Sequence, residues 1–288
     1  MSDQPRRPIF DPDAFPPIYI HQMPTLPAAA HQRKWGIIFL VVAATLLAAL
    51  LFTPGLPLQW KMYAVVHGIC AQQHNIFLAN MQFPICARNT GIYSSFLVTL
   101  GFFFLIGRRR AGKLPHWSLV GVLGLFVAIM GLDGFNSLFY DLGLATLYTP
   151  RNDLRTLTGM GMGVSIAVAV LLVFNVALRQ DIDEQTPPLK NGWELLAILL
   201  LNLLILAAIY GNLDFLYWPL AFLAFSGITS VVYIVNVVMC ALIMGYTGAV
   251  TRVSQLARPA LVALVPTLLL LGAMSSFRFW LEYIGIVP

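Results

Sequence analysis

Charge is what this chain has least of. Only 10% of its 288 residues are charged, where a soluble domain carries about 25%. Its three cysteines exclude a disulfide-dense scaffold. None of them forms a Cys-x-x-Cys pair, which removes the thioredoxin type of redox motif. The glycine run Gly159, Gly161 and Gly163 has no strand before it and no lysine after it, so it is not a phosphate loop. Gly159 and Gly163 instead form a small-x3-small pair, which lets two helices approach closely. No inverted repeat of the kind many transporters carry is visible. The net charge of +5 sits in short clusters beside apolar runs. That pattern suits lipid headgroups and topology rather than nucleic acid.

What the chain has is apolar length. Hydrophobic residues make up 59% of it, and runs of about 20 recur, the signature of membrane-spanning helices. Residues 1–34 are polar and rich in proline, and they read as a flexible cytoplasmic tail. Spans are expected at Trp35–Phe52, Cys86–Ile106, Ser118–Tyr140, Leu157–Leu178, Leu195–Tyr210, within Leu216–Met244, and at Ala260–Phe277. The sixth run is long, and Ser226–Gly227 offers a break that would make two short passes and eight spans. Seven spans with the N-terminus inside leave Lys61, Arg88, Arg151, Arg155 and Arg278 outside and the other twelve basic residues inside. The positive-inside rule therefore favours N-in and C-out. The fold class is all-α: a polytopic integral membrane helical bundle of about seven transmembrane helices, because lipid leaves backbone polar groups no partner outside the segment.

The polar exception is Met62–Tyr93, an extracytoplasmic interfacial segment between the first two spans in this topology. A helix over Trp60–Phe77 would place His67, Cys70 and His74 at i, i+3 and i+7, on one face. Cys86 follows a turn ending at Pro84. His67, Cys70, His74 and Cys86 are possible ligands of a tetrahedral metal such as zinc, although the spacing matches no standard zinc signature. Cys70 and Cys86 could instead form a disulfide, the reading preferred to the metal site, or remain two packed thiols. Asp133 lies within a span, where a carboxylate is costly and pairs with a base; Arg155 is the expected partner, ahead of Arg88. With Gln72, Asn152 and Thr158, these residues form a polar set on one side of the bilayer.

Several short motifs carry a resemblance. They are Cys70 and Gln72; then Cys86, Arg88, Thr90 and Gly91; then Asp133–Gly134; then Asn152, Leu154, Arg155, Thr158 and Gly159. In this order they resemble domain-of-unknown-function family 2085, a family of prokaryotic membrane proteins, over residues 58–178. The resemblance implies a location in the plasma (inner) membrane of a prokaryote. Ala71 and Asn89 stand where that family commonly has His and Cys. The division that follows is tail 1–34, a four-helix membrane core 35–180 matching the family, a cytoplasmic linker 181–192, and a three-helix extension 193–288. Three functions are open. The first is a non-catalytic structural or accessory subunit, partnered by the bilayer and by other membrane subunits of a larger complex. The second is a metal- or thiol-dependent enzyme of the outer leaflet. The third is a small-solute transporter. No cofactor is specified beyond zinc as a candidate.

Overall fold

The computed structural model describes residues 29–70 and 74–286. Its helices are α1 (Ala29–Phe52), α2 (Leu58–Val66), α3 (Ala87–Leu105), α4 (Trp117–Asp141), α5 (Asn152–Leu178), α6 (Gly192–Tyr210), α7 (Tyr217–Ile243) and α8 (Ala257–Tyr283). Strands β1 (Asn75–Leu78) and β2 (Met81–Cys86) form one antiparallel hairpin between α2 and α3. Most of the tail read from the sequence, residues 1–28, lies outside the described residues; its last part is the opening of α1.

Six helices among the described residues are long and apolar enough to cross a membrane, namely α1 and α4 to α8. The other run counted as a span is α3, and it does not reach that composition. Arg88, Asn89, Thr90, Ser94, Ser95 and Thr99 dilute it. Their placement explains how α3 can be both polar and central. Thr90, Ser94, Ser95 and Thr99 are buried, turned inward against neighbouring helices. The long sixth run is one unbroken helix, α7, which passes straight through Ser226–Gly227.

Glycines let α3 sit that deep. A Cβ on Gly91 would overlap the Thr156 carbonyl, and Cβ atoms on Gly159 and Gly163 would overlap the Arg88 and Ile92 carbonyls. The pairs ascend together, so α3 and α5 run parallel, backbone against backbone. Ser95 Oγ donates to the Met160 carbonyl at 2.8 Å along the same seam. Gly227 seats α7 against the Tyr93 carbonyl on the opposite flank. Packing of Phe96, Phe103, Val164, Ala167 and Ile198 completes the centre.

The expected helix over Trp60–Phe77 is not there. Helix α2 stops at Val66, a 3-10 turn covers His67–Ile69, and the chain then enters the hairpin. Two local causes are visible. Gly68 lies against the backbone of Met274 and Ser275 on α8, where a side chain would not fit. Ala79 and Asn80 both take positive φ, 52° and 58°, the two-residue turn whose twist suits a hairpin. Alanine tolerates that conformation poorly, but Asp214 Oδ1 holds its amide at 2.8 Å. The hairpin buries Ile76, Leu78 and Phe83 against Met62, Ile209 and Tyr217.

The helix ends sort the charges. The chain bridges Ala111 to Asp183 and Arg179 to Val250, which gathers the ends of α3, α5 and α7 and the starts of α4, α6 and α8. Helix α1 enters at the same end, touching the 3-10 turn Val253–Leu256. Arg33, Lys34, Arg108, Arg109, Arg110, Lys113, Arg179, Lys190, Arg252 and Arg258 all belong to this end. Lys61, Arg88, Arg151, Arg155 and Arg278 belong to the opposite end, with the hairpin.

The α3–α5 seam yields a test. Gly91→Val should destabilise the protein by about 1–3 kcal/mol or prevent folding, the range for overpacking. Gly101→Val, whose Cβ meets nothing within 4 Å, should melt close to wild type. Thermal unfolding of the purified proteins in detergent compares them, and equal melting would mean the seam is not tight.

Candidate functional site

At the hairpin end, the first turn of α3 faces α4 and the start of α5. Arg88 projects from that turn. Its Nη2 donates to Asp133 Oδ2 at 2.6 Å and to Ser137 Oγ at 3.0 Å, and its Nε lies 3.3 Å from the same carboxylate oxygen. Asp133, on α4, is only 2% exposed. Its other oxygen, Oδ1, accepts from the Tyr148 hydroxyl at 2.6 Å, and Thr158 Oγ1 donates to Oδ2 at 3.3 Å. Three segments thus converge on one carboxylate, although the Thr158 hydroxyl also has the Arg155 carbonyl within reach at 3.2 Å. Burial, then the hydrogen bond to Asp133, pushes Tyr148 up to about 12, so its hydroxyl stays protonated and donating throughout the neutral range. Asn136 holds the Tyr148 loop: Nδ2 donates to the Tyr148 carbonyl and Oδ1 accepts from the Leu147 amide, at 2.9 and 2.8 Å.

The partner expected for Asp133 was Arg155, and here the structure differs. Arg155 donates through Nε to Ser137 Oγ at 3.2 Å and through Nη1 to Asn152 Oδ1 at 3.1 Å. It reaches Asp133 only through shared neighbours. The reason is helix register: Arg88 lies across from Gly134 and Ser137, one turn apart on α4, so its fork covers the carboxylate first. Asn152 in turn donates to the Asn75 carbonyl at 3.2 Å, tying α5 to β1.

The Cys/His set divides into three places. His67 is fully buried and stacked on Phe279, with centroids 4.2 Å apart. Its Nε2 meets Glu282 at 2.9 Å, and Arg278 Nε donates to the same carboxylate at 2.9 Å. His74 meets Asp141 at 3.2 Å on the surface. Cys70 and Cys86 are both thiols, near enough for Cys70 to perturb Cys86, and are not covalently joined. That proximity, followed by burial, raises the Cys86 thiol well above its ordinary value, so thiolate is disfavoured there. Gln72 lies outside the described residues. Among the described residues no three His, Cys, Asp or Glu side chains converge as metal ligands do. The four expected ligands do not form one cluster: Nε2 of His67 meets Glu282 and Nε2 of His74 meets Asp141.

Sequence reasoning missed Tyr148, Asp141 and Glu282. Tyr148 stands in a loop with no periodicity, and Glu282 is 215 residues from His67; no local spacing marks either. Ser137 lies one helical turn beyond Asp133, and that spacing is the signal that could have found it.

The bundle with six apolar helices defines a helical membrane protein. The model of a family described as predicted membrane protein, DUF2085, matches residues 70–171. The matched stretch runs from Cys70 into α5 and holds the whole Arg88–Asp133 network, while His67, Glu282 and helices α6 to α8 lie beyond it. No curated protein and no solved structure matches the chain.

The ion pair can be tested by a mutant cycle. Arg88→Gln should cost about 3–5 kcal/mol, because it strands the buried Asp133 carboxylate; Asp133→Asn should cost less, because Arg88 is half-buried, and the two together less than the sum. The coupling between Arg155→Gln and Asp133→Asn should be smaller. Unfolding of the single and double variants in detergent measures both; a larger Arg155 coupling would reverse the assignment.

Proposed function

We propose that this chain is a non-catalytic accessory subunit of a prokaryotic inner-membrane complex, its outward-facing polar cluster serving as a structural lock. One observation carries the reading. The Asp133 carboxylate is only 2% exposed and is paired with Arg88 and hydrogen-bonded by Tyr148, so it is held as a structural counter-ion rather than open to a substrate for acid–base work. Seven spans with a cytoplasmic N-terminus and outward C-terminus fit the charge asymmetry of the two ends, with α3 as the seventh, enclosed by its neighbours and so spared its own apolar surface.

The proximity of Cys70 and Cys86 favours a second reading, a thiol-dependent enzyme of the outer leaflet. The pair would form a disulfide by exchange with a disulfide-bearing partner, which leaves as two thiols.

Native purification tests both. A stoichiometric co-migrating membrane subunit is expected on the first reading. A lone protein in which Cys70 and Cys86 are alkylated only after reduction, and reoxidise with a small disulfide, would replace it with the second. For topology, a reporter fused after Gln82 should be active only on the extracytoplasmic side; cytoplasmic activity would invert the map.

A further inference from the structure

Helix α1 stands away from the body of the bundle. None of its apolar window is buried; it touches α8, α2 and the turn Val253–Leu256. Between it and α7 lies a groove of about 730 Å³, walled by Ile37 and Leu40 of α1, Ile234 and Val237 of α7, and Phe174 of α5. A smaller groove of about 200 Å³, lined by Leu100, Phe104 and Arg109, lies on the other side of Phe174, Ile234 and Val253, which belong to both. In a bilayer an apolar gap of this size does not stay empty, since its walls would forfeit their dispersion contacts. Lipid chains are the solvent at hand.

The rim says which lipid. Arg33 and Arg252 both line the larger groove, and both are exposed. Among the described residues neither takes part in an ion pair; the carboxylate of Asp181 is occupied by Arg179 and Arg110. No Asp or Glu lines either groove. Two guanidinium forks with no acid beside them suit a phosphate diester. We infer that this end of the bundle is a binding site for one anionic phospholipid, its phosphate between Arg33 and Arg252, one chain between α1 and α7 and the other across the Phe174 ridge. The inference needs only the membrane class of the protein and is independent of the outward-facing cluster.

The test uses the full chain purified in mild detergent. Dioleoyl phosphatidylglycerol and dioleoyl phosphatidylcholine are supplied in equal amounts, and retained lipid is counted by native mass spectrometry. One phosphatidylglycerol per chain is expected, at roughly 5- to 30-fold preference, the range for one to two basic contacts. Arg33→Gln/Arg252→Gln should abolish the preference, whereas Lys113→Gln/Lys190→Gln, basic residues of the same end outside the grooves, should leave it. Gly36→Leu, which extends into the open groove, should reduce retention of both lipids. Thermal melting of each variant shows that it is folded, and the single variants Arg33→Gln and Arg252→Gln, each expected to lower the preference, replace the double variant should that fail to fold. Equal retention of the two lipids by wild type would overturn the inference. So would an equal loss in the lysine control, which means diffuse attraction, or full competition by free glycerol phosphate, which means no role for the chains. A peptide helix or second copy occupying the groove in place of lipid would overturn it as well.

Discussion

A carboxylate placed inside a greasy bundle has to be neutralised where it stands, and the Asp133 site is built around that requirement. Desolvating Asp133 would cost several kcal/mol without a partner. Arg88 supplies the charge from α3, Tyr148 a hydroxyl from the α4–α5 loop, and Thr158 a second from α5. Each of these groups is needed where it is, so the network fixes the rotation of α3, α4 and α5 about one another at the hairpin end.

The glycine seam sustains the same arrangement along the helices. Gly91, Gly159 and Gly163 bring the α3 and α5 backbones together, and that closeness lets a helix carrying buried serines and threonines avoid lipid. Apolar length is then required only of the helices around it. The hairpin closes the end above α3, with Tyr217 reaching the Gln82 carbonyl at 2.7 Å. The His67–Glu282–Arg278 group ties α8 to the same cap. Parts of the chain far beyond the family-matched stretch therefore hold up its polar face.

Both ends of the bundle carry ion-paired arginines, but they differ in the number of basic groups. At the hairpin end most basic groups are engaged: Arg88 with Asp133, Arg151 with Asp153, Arg278 with Glu282. At the opposite end Arg33 and Arg252 face open grooves. At that same end Arg108 pairs with Glu194, and Arg110 and Arg179 share Asp181, so Arg33 and Arg252 stand out from their basic neighbours rather than from the whole hairpin end.

From residues in order, the membrane class, the run of apolar helices, the charge asymmetry and the close-approach glycines of α5 were legible, because each depends on composition or spacing within one segment. So were most of the residues at the polar cluster, since a lone Asp133 in an apolar run and arginines flanking a span are conspicuous in one dimension. Which arginine meets Asp133 was not legible: it turns on the relative rotation of α3 and α4, which Ser137 and the glycine contacts decide. Nor was the hairpin, where Gly68 against α8 and the Asp214 bond at Ala79 end a helix that local propensity would have continued. His67 left the thiols for Glu282 for the same reason. The nearest carboxylate in space lay at the far end of the chain, and only packing in three dimensions brings such groups together.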